Sequence, residues 1–214
     1  MIRSRRLLAA VALVVTAIGT SVSAQDFSPR DECSKIEGAT EFRSALSTAV
    51  DARDADALLA LVTDDILLDF GGGSGKAELR KRLTDTNYNL WSELPEILKL
   101  GCASDDGSRL SLPWYFNQEM GNIDPFEGYL VTGSRVALRA GPSLNSKVVT
   151  RISWQPVVLV RDGANERTKF MRVQGPDGQT GFMHRDYLRS FIDYRIQASQ
   201  QDGRWLATVF IAGD

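Results

Sequence analysis

Hydrophobic residues recur every three to four positions in the first half of the chain and every second position in much of the remainder, with the change near Tyr129. Over residues 41–50, Phe42, Ala45, Leu46, Ala49 and Val50 share one helical face, which predicts an amphipathic helix. Asp54 or Asp56 can cap a second helix over ALLALVTDD, where Leu58, Leu59, Leu61 and Val62 are apolar. DILLDF then alternates as a strand does, with Ile66, Leu68 and Phe70 on one face and Leu67 and Asp69 on the other. GKAELRKRL predicts a helix entered directly from the glycine run at 71–73. LPEILKL predicts another, with Pro95 in its first turn and Gly101 as its stop. RLSLPWYF reads as an edge or bent strand, because Pro113 cannot donate to a ladder.

Beyond Tyr129 the pattern is one of short strands. SRVALRA points Val136 and Leu138 inward, KVVTRI, PVVLVRD and KFMRVQG follow, and a PDG turn leads into QTGFMHRDYL. Turn signals every ten residues or so predict a small all-β unit. A longer hairpin around Asp202-Gly203 closes the chain, with Ile192, Tyr194 and Ile196 on one arm and Trp205, Ala207, Val209 and Ile211 on the other. The segment before residue 126 offers two strands, too few for a sheet of its own, and a lone hairpin is marginal in water. Together they predict one sheet that the β unit interrupts, so strand 204–212 is expected to pair with 109–116 or 66–70. The expected organisation is an arm over 25–40, a helical α+β part over 41–126, the β unit over 127–189 and a completing hairpin over 190–214.

Charge and cysteines narrow the setting. Residues 1–24 place three arginines before an apolar run and end in small residues, the order of a secretory signal peptide cut after Ala24. Removing it takes away three arginines and no acid, which moves the net charge from −2 to about −5. An acidic chain without a basic cluster lacks what nucleic-acid binding draws on. With no later segment apolar enough to span a membrane, the mature chain is expected to be periplasmic or secreted. In that setting the two cysteines, Cys33 and Cys102, are expected to form a disulfide.

Few residues announce chemistry. DFGGGSGKAEL invites comparison with a phosphate-binding loop, but the pattern G-x-x-x-x-G-K-[ST] would need glycine where Phe70 stands and a hydroxyl where Ala77 stands. The glycines read instead as a flexible passage from strand to helix, with a loose anion site at the helix N-terminus as the remaining functional option. His184, the single histidine, reads as a strand residue on the surface. Asp64-Asp65 and Asp105-Asp106 read as a helix end and a turn, without calcium-loop spacing. The aromatic run at 114–116 reads as core that could line a groove. No cofactor or metal is implied.

The stretch VALRAGPSLNSKVVTRI resembles the opening of bacterial SH3 (SH3b) domains. Phe170 and Val173, Asp177-Gly178, Gly181-Phe182-Met183 and Tyr187-Leu188 agree with later features of that family, whereas Phe170 and Phe182 replace its usual tryptophans and Trp154 an aliphatic residue. The resemblance covers residues 128–189 and implies an SH3-like β-barrel, inserted into an α+β fold of helices with a small mixed sheet. It also implies a non-catalytic module that binds cell-wall peptide (peptidoglycan) or an envelope protein, with Trp154, Phe182 and Tyr187 as candidate ligand contacts. The flanks, through DARDADALLALVTDDILLDF and QDGRWLATVF, more loosely resemble the nuclear-transport-factor-2-like cone fold. That likeness implies the alternative: a small-molecule binder or isomerase-like enzyme using a cone cavity, with Asp69 as the carboxylate to consider.

Overall fold

The structure is a computed structural model and describes residues 25–161 and 168–213, so the expected signal peptide lies outside the described residues. Four helices precede most of the strands. Helix α1 (Ala39–Asp51) and the short α2 (Ala55–Leu59) are followed by strand β1 (Val62–Leu67), then by α3 (Lys76–Thr84) and α4 (Leu90–Leu98). Strand β2 (Arg109–Leu112) ends at a cis peptide before Pro113, and a 3-10 turn, Trp114–Asn117, follows where the pattern predicted more strand. Asp54 caps α2 by accepting from the amides of Asp56 and Ala57, as expected of an acid in that place. Helix α2 stops early, and Val62 to Asp65 belong to β1, so Asp64-Asp65 is strand and not helix end. Helix α4 begins five residues before Pro95, which therefore sits inside the helix and not in its first turn.

The terminal hairpin joins this part directly. Strands β10 (Arg195–Gln201) and β11 (Arg204–Ile211) pair antiparallel; β11 lies parallel to β1, and β10 antiparallel to β2. The resulting sheet has the order β1-β11-β10-β2, so strands from before and after the second sheet make one mixed sheet. One core covers its inner face: Phe42 and Leu46 from α1, Leu79 from α3, and Leu94 and Ile97 from α4 meet Ile66, Leu110, Ile196 and Trp205. Burial of each such side chain contributes about 2 kcal/mol. The alternation expected along β11 breaks at a bulge, where Gln197 faces Val209 and Ala198 faces Ala207. Thr208 is the extra residue, and past it Phe210 becomes a core residue while Val209 is half-buried. Phe70, expected beside Ile66 and Leu68, lies beyond the end of β1 and is 60% exposed.

Between β2 and β10 the chain forms a second sheet from β3 (Gly128–Val131), β4 (Val136–Arg139), β5 (Val148–Ile152), β6 (Pro156–Leu159), β7 (Phe170–Gln174), β8 (Thr180–His184) and β9 (Leu188–Ser190). Its order is β5-β4-β8-β7-β6-β3-β9, with β5 and β9 as free edges. The expected SH3-like β-barrel is therefore corrected to an open sheet. Side chains from almost every strand nevertheless share one core, including Val131, Val136, Leu138, Ile152, Val157, Val173 and Met183, so the sheet must curl around it.

A third core joins the two sheets. Phe27 from the arm, Leu100 and Ala103 after α4, Trp114 and Tyr115 from the 3-10 turn and Leu130 from β3 are all buried together, with Trp154 and Phe191 against them. The disulfide between Cys33 and Cys102 ties the arm beneath α4. Two backbone bonds of 2.9 Å, Glu32 N–H to the Cys102 carbonyl and Cys102 N–H to the Arg30 carbonyl, reinforce it. Gly101 has φ +82°, and a Cβ there would overlap the Arg30 carbonyl, so this close approach needs glycine. The arm then reaches the second sheet, where the Phe27 amide donates to the Trp154 carbonyl at 2.9 Å.

Candidate functional site

The glycine loop is structurally committed. The Asp69 carboxylate accepts from the amides of Gly71 and Gly73 at 2.8 Å each, and it pairs with Arg82. Gly75 donates to the Ile66 carbonyl and Leu68 to the Gly73 carbonyl, so the loop folds back on β1. The chain's own carboxylate thus occupies the Gly71 and Gly73 amides of the glycine run. The same contacts bear on Asp69 as a candidate base: hydrogen bonds from Arg82 first, then from Gly73 and Gly71, hold its carboxyl below the usual range. The interior between the first sheet and its helices is occupied by the core described above, and Asp69 lies outside it.

A cleft of about 420 Å³ opens between α4 and the second sheet. Trp154 and Tyr187 line one wall. Glu93, Glu96 and Lys99 stand on the opposing helix, with Arg189 and Asp193 at the base. Glu93, Glu96 and Leu100 recur at i, i+3 and i+7, so a single stripe of α4 and its end faces the cleft. Trp154 is fixed in a left-handed conformation, φ +47°, by its amide bond to the Gly133 carbonyl and the arm's bond to its own carbonyl. Its indole N–H donates to Ser134 Oγ at 3.2 Å. Tyr187 leaves 46% of its surface exposed.

Arg189 organises the charges. Its side chain is 8% exposed, and its Nη1 lies 3.6 Å from both Glu93 and Asp193, while Nη2 donates to the Tyr194 carbonyl at 2.9 Å. One cation thus faces two carboxylates. Burial, then the neighbouring Asp193 charge, push the Glu93 carboxyl above its ordinary range against the pull of Arg189. Burial pushes the phenol of neighbouring Tyr115 up to about 12, so it stays neutral. With Glu96 and Asp186, four carboxylates line the cleft against two cations, so its field favours a positively charged group. Two aromatic rings alongside add faces on which an ammonium can rest.

Of the three rings expected to contact a ligand, Trp154 and Tyr187 come together here and Phe182 does not. Phe182 sits on β8 opposite Arg139 of β4 and Arg172 of β7, half-buried on the outer face of the second sheet. His184 is edge-on to Phe170, with its Nδ1 3.4 Å from Asp186. Trp114 and Tyr115 are core, as expected of that aromatic run. Phe116 instead lines a smaller notch of about 250 Å³ with Met120, Phe191 and Arg195, and the Arg195 guanidinium lies 4.4 Å from its ring centre. Sequence reasoning missed Glu93, Arg189 and Asp193. Glu93 was hidden because α4 was started too late, and the Arg189–Asp193 pair falls between two elements where no periodicity marks it.

No family model matches the chain, and no curated protein matches it. Among solved structures, it is similar to a protein of unknown function with a cystatin-like fold from Nostoc punctiforme PCC 73102: 13% identity, covering 82% of this chain and 86% of that one, TM-score 0.29. It is also similar to an NTF2-like protein with a cystatin-like fold from Novosphingobium aromaticivorans DSM: 11% identity, covering 82% and 78%, TM-score 0.30. Likenesses this distant leave the fold to be described from its own strands and the site from its own residues.

Proposed function

We propose that this is an exported, non-catalytic binding protein that holds an amine-bearing peptide of the cell envelope in the cleft between α4 and the second sheet. The observation that carries this reading is the meeting of Trp154 and Tyr187 with an excess of carboxylates in one cleft. The disulfide and the absence, among the described residues, of a helix long and apolar enough to cross a membrane are compatible with an exported chain. The exposed ring of Tyr187 beside Trp154 supports a peptide as the ligand, since an extended chain can lie along aromatic residues. The non-catalytic part rests on the commitments of the candidate acid–base groups: Asp69 is bound to Arg82 and the glycine loop, and the half-buried His184 accepts the Asp186 amide at its Nδ1.

Sedimentation with purified peptidoglycan sacculi tests the proposal. Wild-type protein is expected to co-sediment, and Tyr187→Ala and Glu93→Gln to weaken retention by about tenfold each, equivalent to ~1.4 kcal/mol. Acetylating the free amines of the sacculi is expected to abolish it. Retention that survives acetylation refutes the amine-binding cleft.

A second reading concerns the notch lined by Phe116, Met120, Phe191 and Arg195, whose apolar walls and single cation fit a small apolar acid. Ile123 also lines the notch, and under that reading a medium-chain fatty acid raises the melting temperature of the wild type and not of Ile123→Trp, which fills it.

A further inference from the structure

On β4 and β5, Ala137 faces Arg151, and Leu138 faces Thr150. Strand alternation sends Val136 and Leu138 into the core, which leaves Ala137, Arg139 and the cross-strand Arg151 on the outer face. Arg135, just before β4, completes a set of three guanidinium groups around a groove of about 250 Å³. The small side chain of Ala137 leaves its floor open. Among the described residues none of these three arginines has an ion-pair partner, although acids outnumber bases in the chain. Two of them are held by backbone: Arg139 Nη1 donates to the Ser146 carbonyl at 3.0 Å, and Arg151 Nη1 to the Arg135 carbonyl at 2.9 Å. Each guanidinium carries five N–H donors, so these anchors fix the groups and leave donors for an anion.

The walls narrow the class of anion. Leu144 is 68% exposed at the rim, and Phe170, His184 and Tyr187 follow one another edge to edge at 5.1 and 6.4 Å between ring centres. An apolar wall beside a cluster of guanidinium groups suits a carboxylate that carries a small apolar side chain, more than a bare phosphate. We propose that this groove binds the C-terminal carboxylate of a peptide, with the last side chain against Leu144 and Phe170.

The groove also adjoins the acidic cleft. Tyr187 lines both, and Trp154 of the cleft donates its indole N–H to Ser134 of the groove. A peptide with its ammonium in the cleft therefore passes over Tyr187 to reach the arginines, which gives the bound chain a direction. This direction rests on the amine-binding reading above; the carboxylate site does not.

The test uses a probe without an amine, so that the two sites fail or succeed separately. N-acetyl-alanylalanine is titrated into the full mature protein while the arginine Nε–Hε signals are followed by NMR. Saturable shifts of the Arg139 and Arg151 signals are expected, with the carboxamide of the same probe binding at least ~10-fold more weakly. Arg139→Gln/Arg151→Gln is expected to lose both the binding and the discrimination while its backbone spectrum stays folded. Arg151→Gln alone, at an exposed position, gives a partial loss and covers the case in which the double variant does not fold. Equal binding of acid and amide, no shift at millimolar probe, or inorganic phosphate binding as tightly as the probe would each overturn the assignment.

Discussion

Replacing both Cys33 and Cys102 by alanine removes a cross-link whose cysteines are 69 positions apart. Loop-closure entropy for a ring of that size assigns the bond about 4 kcal/mol, arising in the unfolded chain. The native arm keeps its other attachments in the variant. The two backbone bonds between residues 30–32 and Cys102 remain, as does the Arg30 guanidinium 4.7 Å from the Trp114 ring centre. The folded state is therefore expected to survive, since domains are stable by about 5–15 kcal/mol. Urea unfolding followed by tryptophan fluorescence reads the effect. With a slope of roughly 2 kcal/mol per molar, the midpoint falls by about 2 M, and the slope itself rises because the uncross-linked chain exposes more surface. A midpoint shift under about 0.5 M would refute the reasoning, by showing that the cross-link does not constrain the unfolded chain as loop closure requires.

Three other outcomes follow from the cleft and its supports. Glu93 has a raised carboxyl pKa, so the stability it contributes is present below its unfolded value near ~4.3 and is lost as pH rises through the folded value. Melting temperatures between pH 4 and 7 should therefore show wild type losing ground to Glu93→Gln as pH rises, and amine binding should strengthen over the same interval as the carboxylate forms. Arg189→Met leaves Glu93 and Asp193 facing each other without a cation and is expected to cost about 2–3 kcal/mol in chemical denaturation. Adding Glu93→Gln should recover part of that loss. Gly101→Ala forces a Cβ into the Arg30 carbonyl at a positive φ and is expected to cost at least ~2 kcal/mol, read by thermal unfolding.

Much of the architecture was legible because periodicity reports burial. The stripe Phe42, Leu46, Ala49, Val50 and the alternation through Val136 and Leu138 each name a core that the structure contains. The two-strand deficit before residue 126 pointed to the terminal hairpin as a partner, and in the structure β11 lies between β1 and β10. What failed had local causes. Proline in α4 was read as a helix start because it is favoured there, whereas packing of Leu90 and Leu94 carries the helix back through it. The bulge at Thr208 moves Phe210 to the inner side, which no pattern in the residues marks. For the site, rings could be named from strand context, but the charges opposite them come from distant elements. Their meeting depends on how α4 docks against β9, and one-dimensional spacing holds no record of that.

The chain crosses from the first sheet to the second at Glu127–Gly128 and returns at Ser190–Phe191, where the Phe191 amide donates to the Gly128 carbonyl at 3.1 Å. Two adjoining crossings would act as an axle, about which the smaller body could rock. The arm adds a third attachment, off that axle, through Phe27 and the Trp154 carbonyl. Three non-collinear struts triangulate a joint, so the mouth between α4 and Trp154 keeps a set width, and a guest must match it without the two bodies closing around it.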